Sequence, residues 1–237
     1  MKAVILAGGK GSRLAPYTKV IPKPLMPIGD MPILEVLLHQ IKHAGMDEVI
    51  LSVGHMASLL RAFFQDGQHL GMHIRYSYEN FPLGTAGPLA MIEGLDETFL
   101  VMNGDVLTTL NFSELTKFHR GSKALVTIAM YNREVKIDLG VLKLNDGNEV
   151  IGYLEKPTYK YQVSMGVYVF EPEVLKYIPK EQCFDFPSLI LRLIEAGERV
   201  VGFPFSGYWQ DLGRPDDYEN AVLDFETMRT QFLLGGQ

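Results

Sequence analysis

The stretch Lys2–Leu34, KAVILAGGKGSRLAPYTKVIPKPLMPIGDMPIL, contains the pattern on which the interpretation of the whole chain depends. It opens with an apolar run, Ala3 to Leu6, which has the length of a buried strand and passes directly into Gly8-Gly9-Lys10-Gly11-Ser12-Arg13. Glycines after a strand allow backbone conformations in which successive N–H groups converge on an anion. The subsequent residues include several prolines and the cations Arg13, Lys19 and Lys23. We therefore expect a stiff, positively charged loop that binds a phosphate group.

Two common phosphate-binding glycine loops do not match this stretch. A Walker A loop needs G-x-x-x-x-G-K followed by Ser or Thr, and no window here supplies it. A dinucleotide-binding fingerprint needs a third glycine where this chain has Leu14, and a helix that begins at once, which Pro16 opposes. A flexible turn between a strand and a helix remains as an alternative, although a loop of this length inside a compact domain is usually functional.

Taken together, these residues resemble the signature of the sugar-1-phosphate nucleotidyltransferases, G-G-x-G-[ST]-R-L-x-P-x-T-x-x-x-P-K-P-L. Every fixed position of that pattern is present between Gly8 and Leu25. The resemblance implies an α/β fold, with a Rossmann-like, mostly parallel central sheet flanked by helices and a smaller mixed or antiparallel sugar-binding extension. It also implies a reaction in which a nucleoside triphosphate (NTP) and a sugar-1-phosphate give a nucleoside diphosphate sugar and pyrophosphate, with Mg²⁺ as cofactor.

Composition limits the size of the fold and the kinds of partner. A chain of 237 residues, 47% of them hydrophobic, predicts a single domain over residues 1–237. We expect residues 1–121 to bind mainly the nucleotide and residues 122–237 mainly the sugar phosphate. The net charge of −6 argues against a nucleic-acid partner, so a phosphate ligand must be held by a local cluster of cations. The single cysteine, Cys183, excludes an intrachain disulfide and suits a reducing compartment.

The sequence also predicts where the protein resides. No apolar run reaches the length of about 18 residues that a membrane span needs, and the N-terminus carries no basic-then-apolar leader. We therefore expect a cytoplasmic protein without a membrane partner. The resemblance makes a homodimer plausible, and we expect no C-terminal β-helix of the kind that some members of the family carry.

Strand and helix patterns alternate in the first half of the chain, which predicts parallel strands with right-handed crossovers. Helical periodicity from Pro32 ends at Gly45, and Asn111 with Glu114 indicates a capping box. We expect Thr85 to cap a helix that extends to Met91 or Ile92. We expect His119 to act as a cation at the end of a helix or as a hydrogen-bonded side chain rather than as a catalytic residue. The predicted elements are strands at 3–6, 49–53, 73–77 and 98–102 and helices at 33–41, 59–64 and 112–119.

The second half contains strand patterns with almost no helix between them. These predicted strands cover 124–131, 139–144, 150–155 and 163–170, and Asn145 to Asn148 is a hairpin signal. We interpret them as the mixed or antiparallel extension that forms the other wall of a cleft. The remaining predicted elements are helices at 172–177, 186–196 and 216–232 and a strand at 200–203.

The resemblance assigns candidate nucleotide-binding residues to the glycine loop, to the segment around Glu79 and to the motif Leu83-Gly84-Thr85-Ala86-Gly87. From composition alone, an ordinary loop with a helix cap is as good an interpretation of Leu83 to Gly87 as a nucleotide-binding motif. The implied nucleotide-binding residues are Leu6, Ala7, Gly8, Gly9, Gly11, Ser12, Glu79, Gly84 and Thr85. The implied catalytic cations are Arg13, Lys23 and Lys156.

The sugar side of the site is implied by the motif Glu155-Lys156-Pro157. Without the resemblance, an adjacent Glu-Lys pair would indicate only a surface position. The family pattern has the glutamate bonding sugar hydroxyls and the lysine holding the sugar phosphate, and it often has Asn where this chain has Ser164. The implied sugar-binding residues are Asn103, Gly140, Glu155 and Ser164.

Two aspartates are the candidate ligands of Mg²⁺. Asp105 follows the apolar strand at 98–102, and ligands of open parallel sheets bind beyond the carboxyl ends of strands. An Asn-Gly-Asp sequence is otherwise more often a turn than a ligand. Asp211 lies in Trp209-Gln210-Asp211-Leu212-Gly213, which resembles the second metal motif of the family, W-x-D-[IL]-G. Without this resemblance, the only tryptophan of the chain would indicate just a core residue.

These motifs predict catalysis by charge neutralisation, because they supply cations and metal ligands and no Ser-His or Cys-His pair. The form of Leu83 to Gly87 resembles the mannose- or heptose-1-phosphate guanylyltransferases more than the thymidylyl- or uridylyltransferases for glucose-1-phosphate, and this resemblance implies GTP with mannose- or heptose-1-phosphate. A module that senses nucleotide or sugar phosphate without turnover is the alternative outside the enzymes. A nicotinamide-dependent dehydrogenase is disfavoured by the missing third glycine.

Overall fold

A seven-stranded sheet forms the centre of the molecule in a computed structural model, which describes residues 1–234. Its order in space is β12-β8-β11-β6-β1-β4-β5. The strands in chain order are β1 (Lys2–Ala7), β2 (Pro27–Ile28), β3 (Met31–Pro32), β4 (Glu48–Val53), β5 (His73–Tyr78), β6 (Phe99–Asn103), β7 (Val106–Thr108), β8 (Val126–Lys136), β9 (Val141–Leu144), β10 (Val150–Leu154), β11 (Thr158–Phe170), β12 (Val200–Phe205) and β13 (Trp209–Asp211).

Five α-helices accompany the strands within residues 1–234. They are α1 (Ile33–His43), α2 (Ala57–Phe64), α3 (Phe112–Ser122), α4 (Phe186–Glu195) and α5 (Pro215–Leu234). α5 contains a kink, because Met228 has non-helical backbone angles. None of the helices within residues 1–234 combines the length and the apolar character that crossing a membrane would require.

The predicted α/β fold is confirmed, and the first half of the chain forms its parallel part. β1 pairs in parallel with β4 and β6, and β4 pairs in parallel with β5. The side chains of β1, β4 and β6 are almost entirely buried, as expected for strands covered on both faces. The predicted helix after Pro32 is also confirmed, and it ends before Gly45, which has a φ of 78°.

The second half extends the same sheet and adds a hairpin. β11 pairs antiparallel with both β6 and β8, and β12 pairs in parallel with β8, so the sheet is mixed in this half. β9 and β10 form a separate antiparallel pair, joined at the predicted turn by Asn145. Within residues 1–234, β8, β11 and β12 thus continue the central sheet, whereas the β9–β10 hairpin and β13, which pairs with β7, lie outside it.

α5 packs against the segment that comes after the glycine loop. Phe225 and Phe232 of α5 lie in one buried cluster with Leu14, Met26 and Ile28. The hydroxyl of Tyr218 donates a hydrogen bond to the carbonyl of Pro27, at 2.5 Å. The C-terminal helix thus supports the proline-containing loop from behind, although the two are separated by most of the chain.

The predicted N-cap of α3 is confirmed, and His119 has an internal structural role. The side chain of Asn111 accepts hydrogen bonds from the amides of Ser113 and Glu114. The His119 ring is fully buried, and its nitrogens lie 2.8 Å from the hydroxyl of Thr127 and 3.1 Å from the carboxylate of Glu171. Of the two predicted roles, the hydrogen-bonded side chain is the observed one.

Candidate active site

The carboxyl ends of the central parallel strands meet at one edge of the sheet. Leu6 of β1 is in register with Asn103 of β6 and Ser52 of β4, so the loops after these strands lie side by side. The amide of Gly104 donates to the carbonyl of Leu6 at 3.0 Å, and the amide of His55 donates to the carbonyl of Gly8 at 3.2 Å. The strand ends of an open α/β sheet thus converge where ligands of such sheets bind.

One cavity at this edge, of about 270 Å³, lies against residues 8–13, which we call the glycine turn. Arg13, Lys23 and Asp105 contribute its charged groups. Since the cavity combines two cations with glycine backbone, it has the chemistry of a phosphate site. Its lining consists of Leu6, Ala7, Gly9, Gly11, Ser12, Arg13, Lys23, Pro24, Gly104, Asp105 and Gly213.

A second, larger cavity of about 610 Å³ adjoins the first. The two share Leu6, Gly9 and Asp105 as lining residues, so they lie side by side, and we call the two cavities together the cleft. The larger cavity has more apolar surface and suits a ring system better than a phosphate chain. Its predicted lining residues are Leu6, Gly8, Gly9, Glu79, Gly84, Thr85, Asn103 and Asp105, and the others are Lys10, Gly54, His55, Asn80, Phe81 and Pro82.

Glu79 connects the glycine turn to the wall of the larger cavity. Its carboxylate accepts hydrogen bonds from the amide of Leu83 at 3.3 Å and from the hydroxyl of Ser52 at 3.2 Å. A Cβ at Gly8 would lie only 2.5 Å from the same carboxylate. A side chain at Gly8 would therefore displace the Glu79 carboxylate from these hydrogen bonds.

The turn at Leu83–Gly87 is held by a distant segment rather than by its own helix. The prediction that Thr85 caps a helix is wrong, because its hydroxyl accepts a hydrogen bond from the amide of Phe186 at 2.9 Å. The amides of Ala86 and Gly87 both donate to the carbonyl of Phe184 at 2.9 Å. The next element along the chain is a 3₁₀ helix, Gly87–Met91, whose N-cap is Ala86. Hydrogen bonds to Phe184 and Phe186, at the start of α4, therefore hold the turn in place.

The backbone brings Asp105 and Asp211 together. β13 pairs antiparallel with β7, with Asp211 opposite Val106, and the amide of Leu212 donates to the carbonyl of Asp105 at 3.1 Å. Lys23 is 6% exposed; its ammonium contacts the carboxylate of Asp105 and lies 3.9 Å from Oδ1 of Asp211. Burial, and then the neighbouring charge of Asp105, raise the pKa of Asp211, while Lys23 and Arg13 act in the opposite direction.

The two carboxylates fit a magnesium site that a substrate would complete. Mg²⁺ in proteins is commonly held by one or two carboxylates together with the phosphates of a substrate and water. Within residues 1–234, no group of three or more His, Cys, Asp or Glu side chains could hold a metal alone. Asp105 lines the smaller cavity, whereas Asp211 lines neither cavity and is linked to it through Lys23. The two carboxylates could therefore hold Mg²⁺ only as part of a complex with a phosphate ligand.

Arg13 lies against the backbone of the segment that carries Asp211. A Cβ at Gly213 would lie 3.1 Å from a guanidinium nitrogen of Arg13, so a larger residue there would press on this side chain. Arg13 and Gly213 thus lie against each other, and both line the smaller cavity.

The predicted sugar-binding residues fall into two groups. Asn103 lines the larger cavity and packs against Gly166, whose amide donates to the hydroxyl of Ser164 at 3.3 Å. The Ser164 hydroxyl also lies 2.9 Å from that of Tyr168, so it already has two hydrogen-bond partners in the protein.

The second group lies at the β9–β10 hairpin, and none of its members lines either cavity. The hydroxyl of Tyr153 lies against Gly140 and donates to the carboxylate of Glu155 at 3.0 Å. Lys156 is exposed and lies 4.0 Å from Glu155. The space beside Gly140 is thus occupied by the Tyr153 hydroxyl.

Several residues of the cleft were not predicted from the sequence. Gly54 and His55 come after β4, Lys10 lies within the glycine turn, and Phe81 lies before the Leu83–Gly87 turn. Since β4 was predicted as a parallel strand beside β1, its carboxyl end could have marked Gly54 and His55. Tyr153 had no signal, because its proximity to Gly140 depends on the register of the hairpin.

The chain is similar in sequence to a known protein family. The family model described as "Nucleotidyl transferase" matches residues 2–227. A UTP–glucose-1-phosphate uridylyltransferase of Synechocystis is 35% identical over 94% of this chain and 62% of its own length. A mannose-1-phosphate guanylyltransferase of Mycobacterium tuberculosis is 36% identical over 94% of this chain and 64% of its own length. The chain thus spans somewhat less than two thirds of these relatives.

The same fold occurs in a solved structure. The crystal structure of HddC from Yersinia pseudotuberculosis, complexed with GMP-PN, superposes with a TM-score of 0.71 at 27% sequence identity. The match covers 94% of this chain and 99% of that protein. Because the family model spans nearly the whole chain, this protein belongs to the nucleotidyl transferase family.

Proposed function

We propose that the protein transfers a nucleotidyl group from an NTP to a sugar-1-phosphate, which yields a nucleoside diphosphate sugar and pyrophosphate. The observation that carries this proposal is a pair of adjacent cavities: one is lined by the glycine turn, Lys23 and Asp105, and the other is larger, more apolar and fit for a base. The uridylyltransferase and guanylyltransferase relatives both bear names of this reaction class. A nucleotide with its phosphates at the glycine turn and its base near Glu79 would occupy both cavities.

In the proposed reaction, an oxygen of the sugar phosphate attacks the α-phosphorus while the bond to the β-phosphate oxygen breaks. A phosphate monoester is mostly dianionic at neutral pH, since its second pKa is about 6, so it needs no general base. The obstacle is the approach of two anions, and catalysis then consists of positioning and charge neutralisation. The buried ammonium of Lys23 and the guanidinium of Arg13 supply positive charge at this position.

We assign each charged residue a role. The amides of the glycine turn and Arg13 bind the β- and γ-phosphates, and Lys23 binds the α-phosphate. Lys156 holds the incoming sugar phosphate, with Glu155, Asn103, Gly140 and Ser164 on the sugar. Asp105 and Asp211 hold Mg²⁺, which when bound neutralises charge that develops on the phosphate oxygens.

GTP with mannose- or heptose-1-phosphate is the proposed substrate pair. The form of Leu83 to Gly87 favours it, and the guanylyltransferase relative at 36% identity supports it. A uridylyl- or thymidylyltransferase acting on glucose-1-phosphate is the alternative, supported by the uridylyltransferase relative at 35% identity. We further propose a cytoplasmic location, where the one free cysteine, Cys183, stays reduced. A homodimer remains an expectation by analogy with the family.

Pyrophosphate release tests the proposal and its alternatives in one assay. The protein is mixed with Mg²⁺, each of GTP, UTP and dTTP, and each of mannose-, heptose- and glucose-1-phosphate. We expect release only where both substrates are present, with the highest kcat/KM for GTP and mannose- or heptose-1-phosphate. Preference for UTP or dTTP with glucose-1-phosphate would establish the alternative pair. Binding of nucleotide with no pyrophosphate from any pair would indicate a sensing module and overturn the proposed enzyme.

A further inference from the structure

Lys23 has an unusual position for a residue that binds a phosphate. It lies in a 3₁₀ helix, Lys23–Leu25, and its side chain is almost fully buried. Its ammonium contacts Oδ2 of Asp105 and lies 3.9 Å from Oδ1 of Asp211. Lys23 also lines the smaller cavity, together with Asp105 and residues of the glycine turn. Lys23 therefore lies between the two aspartates on one side and a phosphate-sized cavity on the other.

The ammonium and a divalent cation compete for the same carboxylates. An oxygen of Asp105 that accepts a hydrogen bond from Lys23 has lost part of its capacity to bind a metal. Mg²⁺ also needs its oxygen ligands at about 2.0–2.1 Å, which brings it close to any cation beside them. Two positive charges a few ångströms apart repel each other strongly, above all at a site with limited solvent. Lys23 and a metal cannot both lie against the aspartates at low energy.

We propose that Lys23 is the internal counterion of Asp105 and Asp211, and that it releases them only when a triphosphate enters the cavity and accepts its ammonium. This inference uses the proposed function only to assign the two aspartates to the metal. It makes Lys23 a positioning residue as well as a phosphate ligand. Divalent cation and nucleotide then bind with positive coupling, while the protein alone has low affinity for the cation.

Whether one substitution raises or lowers the affinity for Mg²⁺ distinguishes this proposal from a purely structural role of Lys23. Lys23→Met keeps most of the buried aliphatic stem and removes the ammonium, which leaves two neighbouring carboxylates without their counterion. If Lys23 competes with metal, this variant binds Mg²⁺ more tightly than the original protein in the absence of nucleotide. A variant that merely damages the site would bind Mg²⁺ equally or more weakly.

Trp209 offers a spectroscopic reporter for the titration. It is the only tryptophan and lies two residues before Asp211 in β13. Its indole nitrogen donates to the carbonyl of Met165 at 3.0 Å, and its ring packs 5.4 Å from that of Tyr131. A change in the charge or position of Asp211 should therefore alter its fluorescence.

The experiment is a Mg²⁺ titration of the full chain, monitored by calorimetry and by Trp209 fluorescence, first without nucleotide and then with saturating GTP or UTP. We expect Lys23→Met to bind Mg²⁺ alone at least about tenfold more tightly than the original protein, and nucleotide to increase Mg²⁺ affinity much less in the variant. Lys42→Met is the matched control, because Lys42 also pairs with an aspartate, Asp47, at 2.6 Å but lies outside the cleft. It should behave like the original protein.

Equal or weaker Mg²⁺ binding by a folded Lys23→Met variant would overturn the proposal. If Lys23→Met does not fold, Lys23→Gln is titrated in its place. The nucleotide affinity of the original protein, measured with and without Mg²⁺, is an independent test. Because coupling is reciprocal, Mg²⁺ must tighten nucleotide binding by the same factor as nucleotide tightens Mg²⁺ binding. A coupling factor of one would also refute the proposal. These titrations need no turnover, so they can fail while the enzyme is active and succeed while the proposed reaction fails.

Discussion

The amide of Leu212 donates a hydrogen bond to the carbonyl of Asp105, at 3.1 Å. This bond extends the antiparallel pairing of β13 with β7, in which Asp211 lies opposite Val106. The relation between the two acidic residues is thus held by the backbone rather than by their side chains. Substitution of either carboxylate should change the charge of the site and leave its geometry in place.

Asp105→Asn and Asp211→Asn should each lower kcat by about 10²-fold or more, because each removes charge that holds the proposed metal. The double variant should lose little beyond the worse single variant, since both carboxylates serve one ion. Steady-state pyrophosphate release measures both effects, and Asp216→Asn at the start of α5 is the control. Near-native turnover of either single variant at saturating Mg²⁺ would remove that residue from the proposed site.

Gly84→Ala should destabilise the protein far more than Gly197→Ala. Both glycines have similar positive φ, 77° and 76°, so both substitutions carry a backbone cost of about 1 kcal/mol. Only at Gly84 would the new Cβ lie 2.5 Å from a backbone oxygen, that of Phe184, whereas Gly197 has no neighbour within 4 Å. Urea denaturation should place the difference at about 2 kcal/mol or more. Equal losses would mean that the Phe184 segment does not hold this turn rigidly.

Lys156→Ala should raise the KM for the sugar-1-phosphate, or lower kcat, while the KM for the nucleotide and the melting temperature stay unchanged. Its side chain is 58% exposed, and its nearest acidic partner, Glu155, is 4.0 Å away, so it adds little to stability. Lys160→Ala is a matched control, because Lys160 is also exposed and pairs with Glu134 on the adjacent strand. If the two variants have the same kinetics, Lys156 does not bind the sugar phosphate.

The free energy of unfolding should fall as the pH falls below about 6.5, the ordinary pKa of histidine. Burial lowers the pKa of His119, and its hydrogen bond to Glu171 offsets only part of this effect. Below 6.5 the unfolded chain therefore binds a proton at this residue that the folded protein resists. Urea denaturation at pH 7.5 and 5.5 should show a smaller pH effect for His119→Gln than for the control His69→Gln. An unchanged pH effect in His119→Gln would contradict this role.

Much of the fold and the glycine turn could be predicted because the signals are local. The apolar run before Gly8 and the strand before Asp105 each place a motif at the carboxyl end of a parallel strand, as the structure confirms. The burial of β11 was also encoded locally, since Met165 to Phe170 are all buried and form one apolar run. Local patterns thus determined which strands enter the centre of the sheet.

The parts that could not be predicted depend on contacts between distant segments. Thr85 has the sequence of a helix cap, yet its hydroxyl accepts from Phe186, which lies about one hundred residues later. The support of the proline-containing loop by Phe225 of α5 is equally remote in sequence. Such contacts arise from the packing of whole elements, so the sequence pattern of a single segment does not predict them.

The central claim is that the cleft brings an NTP and a sugar phosphate together for transfer at the α-phosphorus. The most direct measurement traces GTP labelled at the α- or the γ-phosphate in the presence of Mg²⁺ and mannose-1-phosphate. The α-label should appear in a nucleoside diphosphate sugar and the γ-label in pyrophosphate, and neither should move without the sugar phosphate. If the γ-label instead appears in inorganic phosphate or on the sugar phosphate, bond breaking occurs at the γ-phosphorus, which contradicts transfer at the α-phosphorus.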